Sequence, residues 1–171
     1  MHKALLVYLI ILAATALWCG LLIAAPLLTS GGESAHVWSD ALYDGFHRVC
    51  HQLDSRSLHL SGVPLPVCMR CSAIYFAFFL GTLLFPLVRP LRQPHAASRG
   101  LLILALTPML IDVAAGISGI ADITATSRLV TGAAFGFLIP FVVLPVVLGA
   151  VHEWRTQSTP VIHHSKGSVD A

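Results

Sequence analysis

Four stretches of this chain are apolar over about the twenty residues needed to cross the hydrocarbon core of a bilayer. That property constrains the fold more than any other. In hydrocarbon every backbone N–H and C=O must find its partner inside the protein, so such stretches fold as helices. They run over 4–28, about 73–88, about 100–119 and about 129–151. The second is shortest, closed by Pro86 and Arg89. Pro108 lies inside the third, and Pro140 and Pro145 inside the fourth; each removes a backbone donor and favours a kink. Charged residues make up 11% of the 171, against about 25% in soluble domains. The chain therefore reads as all-α and polytopic. It forms one transmembrane domain over 1–156, with a polar tail at 157–171 read as disordered and cytoplasmic. A net charge of +2 gives no footprint for nucleic acid, and neither a Gly-rich phosphate loop nor a Ser-His-Asp order is present. The first apolar run is well beyond the roughly 7 to 15 residues of a signal-peptide core, so it reads as a span.

Loop charge orients the spans. Lys3 precedes the first; Arg89, Arg92 and Arg99 lie between the second and third; Arg155 and Lys166 follow the fourth. The positive-inside rule makes these sides, and both termini, cytoplasmic. The chain is then a multi-pass protein of the cell (inner) membrane, with the loop 29–72 facing outward.

That loop has internal pattern. Trp38, Leu42, Phe46 and Val49 fall on one helical face. His36, Asp40, Asp44, His47, His51 and Asp54 stay within about 80° of arc opposite them. The expectation is an amphipathic helix at the membrane interface. Its polar stripe has two readings: a solvated face, or a metal site in which His47 and His51 approach one ion with Asp44 a turn away.

Three cysteines share this loop and the mouth of the second span: Cys50, Cys68 and Cys71, the last two spaced C-x-x-C. Pro66 marks the start of a helix there, and a helix N-terminus beside Arg70 lowers a thiol's pKa. Three readings stay open. One is a structural disulfide with a spare thiol. Another is a transition-metal (zinc-like) site using Cys50, Cys68, Cys71 and His47 or His51. The third is a thiol relay. Cys19, in the first span, reads as a buried inert thiol.

Asp112 lies within the third span, toward its outer end. An unpaired carboxylate there is costly, so Arg128, Arg70 or Arg56 is expected to pair with it. An Asp112–Arg128 pair would join two helices; the functional alternative makes Asp112 a ligand, proton acceptor or orienting group. Gly132 and Gly136 form a G-x-x-x-G face for close helix packing, either within the bundle or between copies.

Cys50-His51-Gln52, Arg56-Ser57, and Leu65-Pro66-Val67-Cys68-Met69-Arg70-Cys71-Ser72-Ala73-Ile74-Tyr75 together resemble a prokaryotic membrane family, domain of unknown function 2085. Its signature runs C-H-Q…R-S…P-x-C-x-R-C-x-x-I-Y. Pro108 to Asp112, Arg128, Thr131-Gly132 and Gly136 are similar to its second motif. Ala73 stands where the family usually has Gly, and Val113 and Gly116 depart from the Gly and Gln expected after the aspartate. The resemblance strengthens the site, with Gln52, Arg56, Arg70, Tyr75, Asp112 and Arg128 read as its supporting residues. It carries no activity, so whether the chain is an enzyme stays open.

The functional expectation is an extracytoplasmic Cys/His site for zinc or another transition metal. The alternative is a membrane thiol–disulfide oxidoreductase, with quinone as its cofactor and Cys50, Cys68 and Cys71 as reacting groups. A second alternative is a small transporter or complex subunit. The expected partners are the lipid bilayer and either further copies of the chain or a membrane complex.

Overall fold

The computed structural model describes residues 2–89, 99–120 and 122–157. The tail expected to be disordered and cytoplasmic, with His163 and His164, lies outside the described residues apart from Gln157, as does Arg92. Helix α1 (His2–Leu28) is followed by α2 (Glu33–His47), a 3-10 turn (Asp54–Arg56) and a hairpin of β1 (Ser57–Leu60) and β2 (Val63–Cys68). Then come α3 (Met69–Val88), α4 (Arg99–Ile117), α5 (Ala125–Leu138) and α6 (Pro140–Gln157). Among the described residues four segments are long and apolar enough to cross a membrane: Ala4–Leu28, Met69–Val88, Arg99–Ile117 and Ala125–Ala150.

Two boundaries differ from the sequence expectation. The second span begins at Met69, because Cys68 is the residue before its first turn and Arg70 and Cys71 are already helical. The fourth begins at Ala125, capped where Thr124 Oγ1 accepts from the Ser127 amide at 3.1 Å. It then breaks into α5 and α6 at Ile139. Pro140 has no N–H to continue α5 but is suited to open a helix, and it does so for α6. Pro108 and Pro145 sit inside unbroken helices.

The hairpin has no counterpart in the sequence reading. Ser61 and Gly62 join β1 to β2 with φ of 54° and 83°, and Leu60 pairs with Val63 across them. A two-residue loop with both φ positive matches the twist of the flanking strands. The signal was present in Ser-Gly between Ser57-Leu58-His59-Leu60 and Val63-Pro64-Leu65-Pro66.

The amphipathic helix stands as α2, but it stops at His47. His51 and Asp54 are therefore off its polar stripe, a correction to the arc drawn from periodicity. The chain leaves the helix because Cys50 turns to meet β2, where its Sγ accepts the Cys68 amide at 3.2 Å. Phe46 is buried against Leu22 and Val67, with Leu21, Leu42, Cys50, Cys71 and Tyr75 around them, while Val37 and Trp38 stay exposed. This cluster caps one end of the bundle. A second one, built on Tyr8, Phe85, Phe141, Leu144 and Leu148, fills the other end. The large apolar side chains exposed along α1, α3, α4 and α6 form the surface a bilayer would cover.

The tightest helix pair is α3 with α5. A Cβ on Gly132 would come within 2.7 Å of the Arg70 carbonyl oxygen, and one on Gly136 within 2.8 Å of Ile74 Cα. On the facing helix, a Cβ on Gly81 would meet the Phe137 carbonyl oxygen at 2.5 Å. The G-x-x-x-G face is thus used inside the chain.

Candidate functional site: a three-thiol cluster at one end of the bundle

The end of α1, the start of α3, the end of α4 and the start of α5 converge where the hairpin folds back. Cys50 comes from the turn after α2, Cys68 from the last position of β2 and Cys71 from the first turn of α3. Their sulfur atoms lie within 4.8 Å of one another. Two thiolates on a tetrahedral zinc are about 3.8 Å apart, taking Zn–S as about 2.3 Å, so the cluster is of a size that contracts onto one ion. All four cysteines are free thiols. Among the described residues no His, Asp or Glu joins this group. His47 and His51, expected as ligands, are exposed on the turn side, and only His51 lines the adjoining pocket. Cys19 is buried elsewhere on α1, its thiol directed at the Tyr75 carbonyl at 3.5 Å.

Gln52 fixes the bend that delivers Cys50. It takes the left-handed conformation, φ 51°. Its side-chain amide donates to the Tyr43 carbonyl of α2 at 2.6 Å and to the Pro66 carbonyl of β2 at 2.9 Å. One NH2 group thereby ties together the two segments that carry Cys50 and Cys68. Tyr43 adds a second tie, its hydroxyl donating to the Pro64 carbonyl. Tyr75 stands below the thiols and packs edge-on with Trp18, ring centroids 5.6 Å apart.

Electrostatics favours a thiolate at Cys68, whose pKa is lowered to about 5. The largest cause is the Cys71 thiol donating toward it. Burial opposes the shift, while the Cys71 amide, the Cys50 thiol and the Arg70 amide add to it. Amides at a helix N-terminus point their hydrogens at whatever precedes the first turn, and a thiolate there is stabilised by them. Because the folded pKa lies below that of an ordinary thiol, the thiolate persists as pH falls until it is protonated near 5. Any stability it contributes is present above the unfolded pKa and lost through that same point. Alkylation of Cys68 by iodoacetamide in metal-free protein is expected to be half-maximal near pH 5 and flat above about 7. Rate measurements by peptide mass spectrometry check it; a midpoint near 9 would remove the account of a thiolate held by the Cys71 thiol and the amides beside it.

Asp112 on α4 pairs with Arg70 on α3, and the Thr131 hydroxyl of α5, which also reaches the Ser127 carbonyl at 2.7 Å, lies 3.5 Å from the same carboxylate oxygen. The sequence left three arginines as candidates. Arg128 and Arg56 form no ion pair among the described residues, so the Asp112–Arg128 staple is replaced by a three-helix junction. Arg70, between the two cysteines of C-x-x-C, belongs at once to the thiol site and to this junction.

A pocket of about 370 Å³ opens onto the cluster, lined by Val49, Cys50, His51, Gln52, Leu53, Arg56, Cys68 and Cys71.

Spanning helices with thiols gathered at one end define a polytopic α-helical membrane protein with a polar site at the bundle's rim. The chain belongs to the family described as predicted membrane protein (DUF2085), which matches residues 50–142 and so includes the three thiols, Arg70 and Asp112. It is similar to the uncharacterized protein MJ1492 of Methanocaldococcus jannaschii, 29% identical over 149 residues, which cover 85% of this chain and 96% of that one. No solved structure matches the chain.

Proposed function

We propose that this protein binds a zinc-like transition metal through Cys50, Cys68 and Cys71 on the outer face of the cell membrane. The convergence of three sulfurs from three separate elements within 4.8 Å carries the reading. A disulfide needs only two, and a packed thiol needs none beside it. The low pKa of Cys68 supports it, because a metal is bound by the thiolate form. The outward orientation rests on the basic residues Lys3, Arg89, Arg99 and Arg155 at the opposite ends of the spans.

Protein purified from cells without chelator is expected to hold about one metal ion per chain. Replacing Cys50, Cys68 or Cys71 by Ser lowers affinity by at least about 100-fold, since loss of an outer-shell partner alone commonly costs 10- to 100-fold. Cys19→Ser leaves it unchanged. Elemental analysis with competition titration reads this out, and unchanged metal content in the three serine variants sinks the proposal.

One observation favours a second reading, a thiol–disulfide oxidoreductase passing electrons to a quinone. Cys68 heads a helix with Cys71 donating to it, an arrangement that activates the first thiol of a C-x-x-C pair. Thiol trapping in intact cells separates the two: cysteines found always reduced and shielded exclude a redox cycle.

A further inference from the structure

The thiol cluster supplies three donors, and among the described residues no fourth Cys, His, Asp or Glu has a ligand atom within 4.8 Å of all three. Closed structural zinc sites take four protein ligands, whereas sites that exchange or activate something keep one position open. The space at that position decides what enters. A water molecule's share of liquid volume is about 30 Å³. The pocket, at about 370 Å³, is ten times larger and falls in the size range of small-molecule sites. Among the described residues its lining holds no carboxylate. It holds one guanidinium, Arg56, which makes no ion pair or side-chain hydrogen bond among the described residues. Val49 and Leu53, 51% and 48% exposed, give it apolar walls.

We propose that this pocket admits a small carboxylate-bearing molecule with a short apolar body, its donor end directed at the thiols or their metal and its anionic end at Arg56. The order of the two ends follows from charge. A divalent metal on three thiolates leaves one negative charge on the pocket floor, so the carboxylate lies toward the rim. The proposal deepens the metal reading and rests on it for the donor end; the anion preference of the pocket stands apart from the metal.

The test therefore has two arms. In phosphatidylcholine nanodiscs the Co(II)-loaded protein is titrated with 3-mercaptopropionate and with 2-mercaptoethanol, a neutral thiol of similar length, following the thiolate-to-cobalt absorption. The acid is expected to bind about two- to five-fold more tightly, within the range for an exposed charge pair. Arg56→Gln removes the difference while leaving Co(II) affinity unchanged. In the second arm the metal-free protein is alkylated at Cys68 with iodoacetate and with iodoacetamide; the thiolate displaces iodide in both. The iodoacetate-to-iodoacetamide rate ratio is expected to exceed that of the unfolded chain by a similar factor and to fall back in Arg56→Gln. If cobalt does not bind but the alkylation ratio behaves so, the metal reading fails and the anion pocket stands. A preference lost on adding phosphatidylglycerol assigns the anion to a lipid headgroup, and one retained assigns it to a free solute. Equal behaviour of charged and neutral probes in both arms overturns the proposal.

Discussion

Asp112→Asn is expected to destabilise the protein in a bilayer by about 3 kcal/mol, and the double variant Arg70→Met/Asp112→Leu to recover most of that loss. The pair is largely shielded, with side-chain exposures of 17% for Arg70 and 12% for Asp112. Removing one partner of a buried ion pair costs about 3–5 kcal/mol because the other charge is left uncompensated, whereas replacing both by apolar groups is often neutral. The lower end of that range applies here. Arg70 lies in the first turn of α3, close enough to the helix end for its guanidinium to reach toward water. The two single variants should not be equal. A guanidinium stays charged at any relevant pH, while a carboxylate stranded in hydrocarbon can neutralise by taking up a proton. Arg70→Met is therefore expected to cost less than Asp112→Asn. The effect falls on α4 in particular, since that helix buries only Ala105 and leans mainly on α5. Steric-trapping or detergent-titration unfolding measures the parent and the three variants. An Asp112→Asn variant as stable as the parent would remove the junction from any account of the fold.

The spans were legible because bilayer thickness converts directly into residue count and hydropathy, and nothing tertiary has to be known. The position of the thiols was legible for a related reason: Cys50, Cys68 and Cys71 are tethered to one loop between two spans and cannot travel far from its ends. What failed was information that only the folded chain contains. Periodicity extended the polar stripe to His51 because 100° per residue has no way to register that Cys50 is drawn off the helix by the Cys68 amide. The hairpin was missed beside a clear Ser61-Gly62 turn, and Pro64 and Pro66 obscured it, since proline is confined to edge strands and β2 is one. Choosing among three arginines for Asp112 requires the rotation of α3 about its axis, set by how Gly132 and Gly136 of α5 seat against Arg70 and Ile74. The role of Gln52 was invisible for the same reason. Its two acceptors lie 9 and 14 residues away, and both are backbone carbonyls that no residue type advertises.

The seating of α5 on α3 makes Gly136→Leu the second large-effect substitution, with an expected loss of about 3 kcal/mol or more and faster alkylation of the thiols. A Cβ at Gly136 would run into the Ile74 carbonyl oxygen and come within 2.8 Å of Ile74 Cα and 2.9 Å of its carbonyl carbon. These are backbone atoms of a helix, which cannot turn aside as a flexible side chain would. Even Gly136→Ala forces the helices apart, and overpacking of this kind costs about 1–3 kcal/mol before any further side chain is added. Leucine then adds three further carbons at a position where Gly132 and Gly136 are both buried. Separation of α3 from α5 also propagates to the site. Arg70 and Cys71 ride on the first turn of α3, and the Arg70 carbonyl is the atom against which Gly132 rests. Opening that contact withdraws Arg70 from Asp112 and moves Cys71 away from Cys50 and Cys68. Gly20→Ala supplies the control, since a Cβ there meets nothing within 4 Å, and it is expected to be no less stable than the parent. Thermal unfolding in detergent, run alongside iodoacetamide labelling of Cys71, reads both consequences. If Gly136→Leu unfolds with the parent and labels at the parent's rate, α3 and α5 do not pack through these glycines. A fall in oligomer size on cross-linking with stability unchanged would instead place the glycine face between copies of the chain.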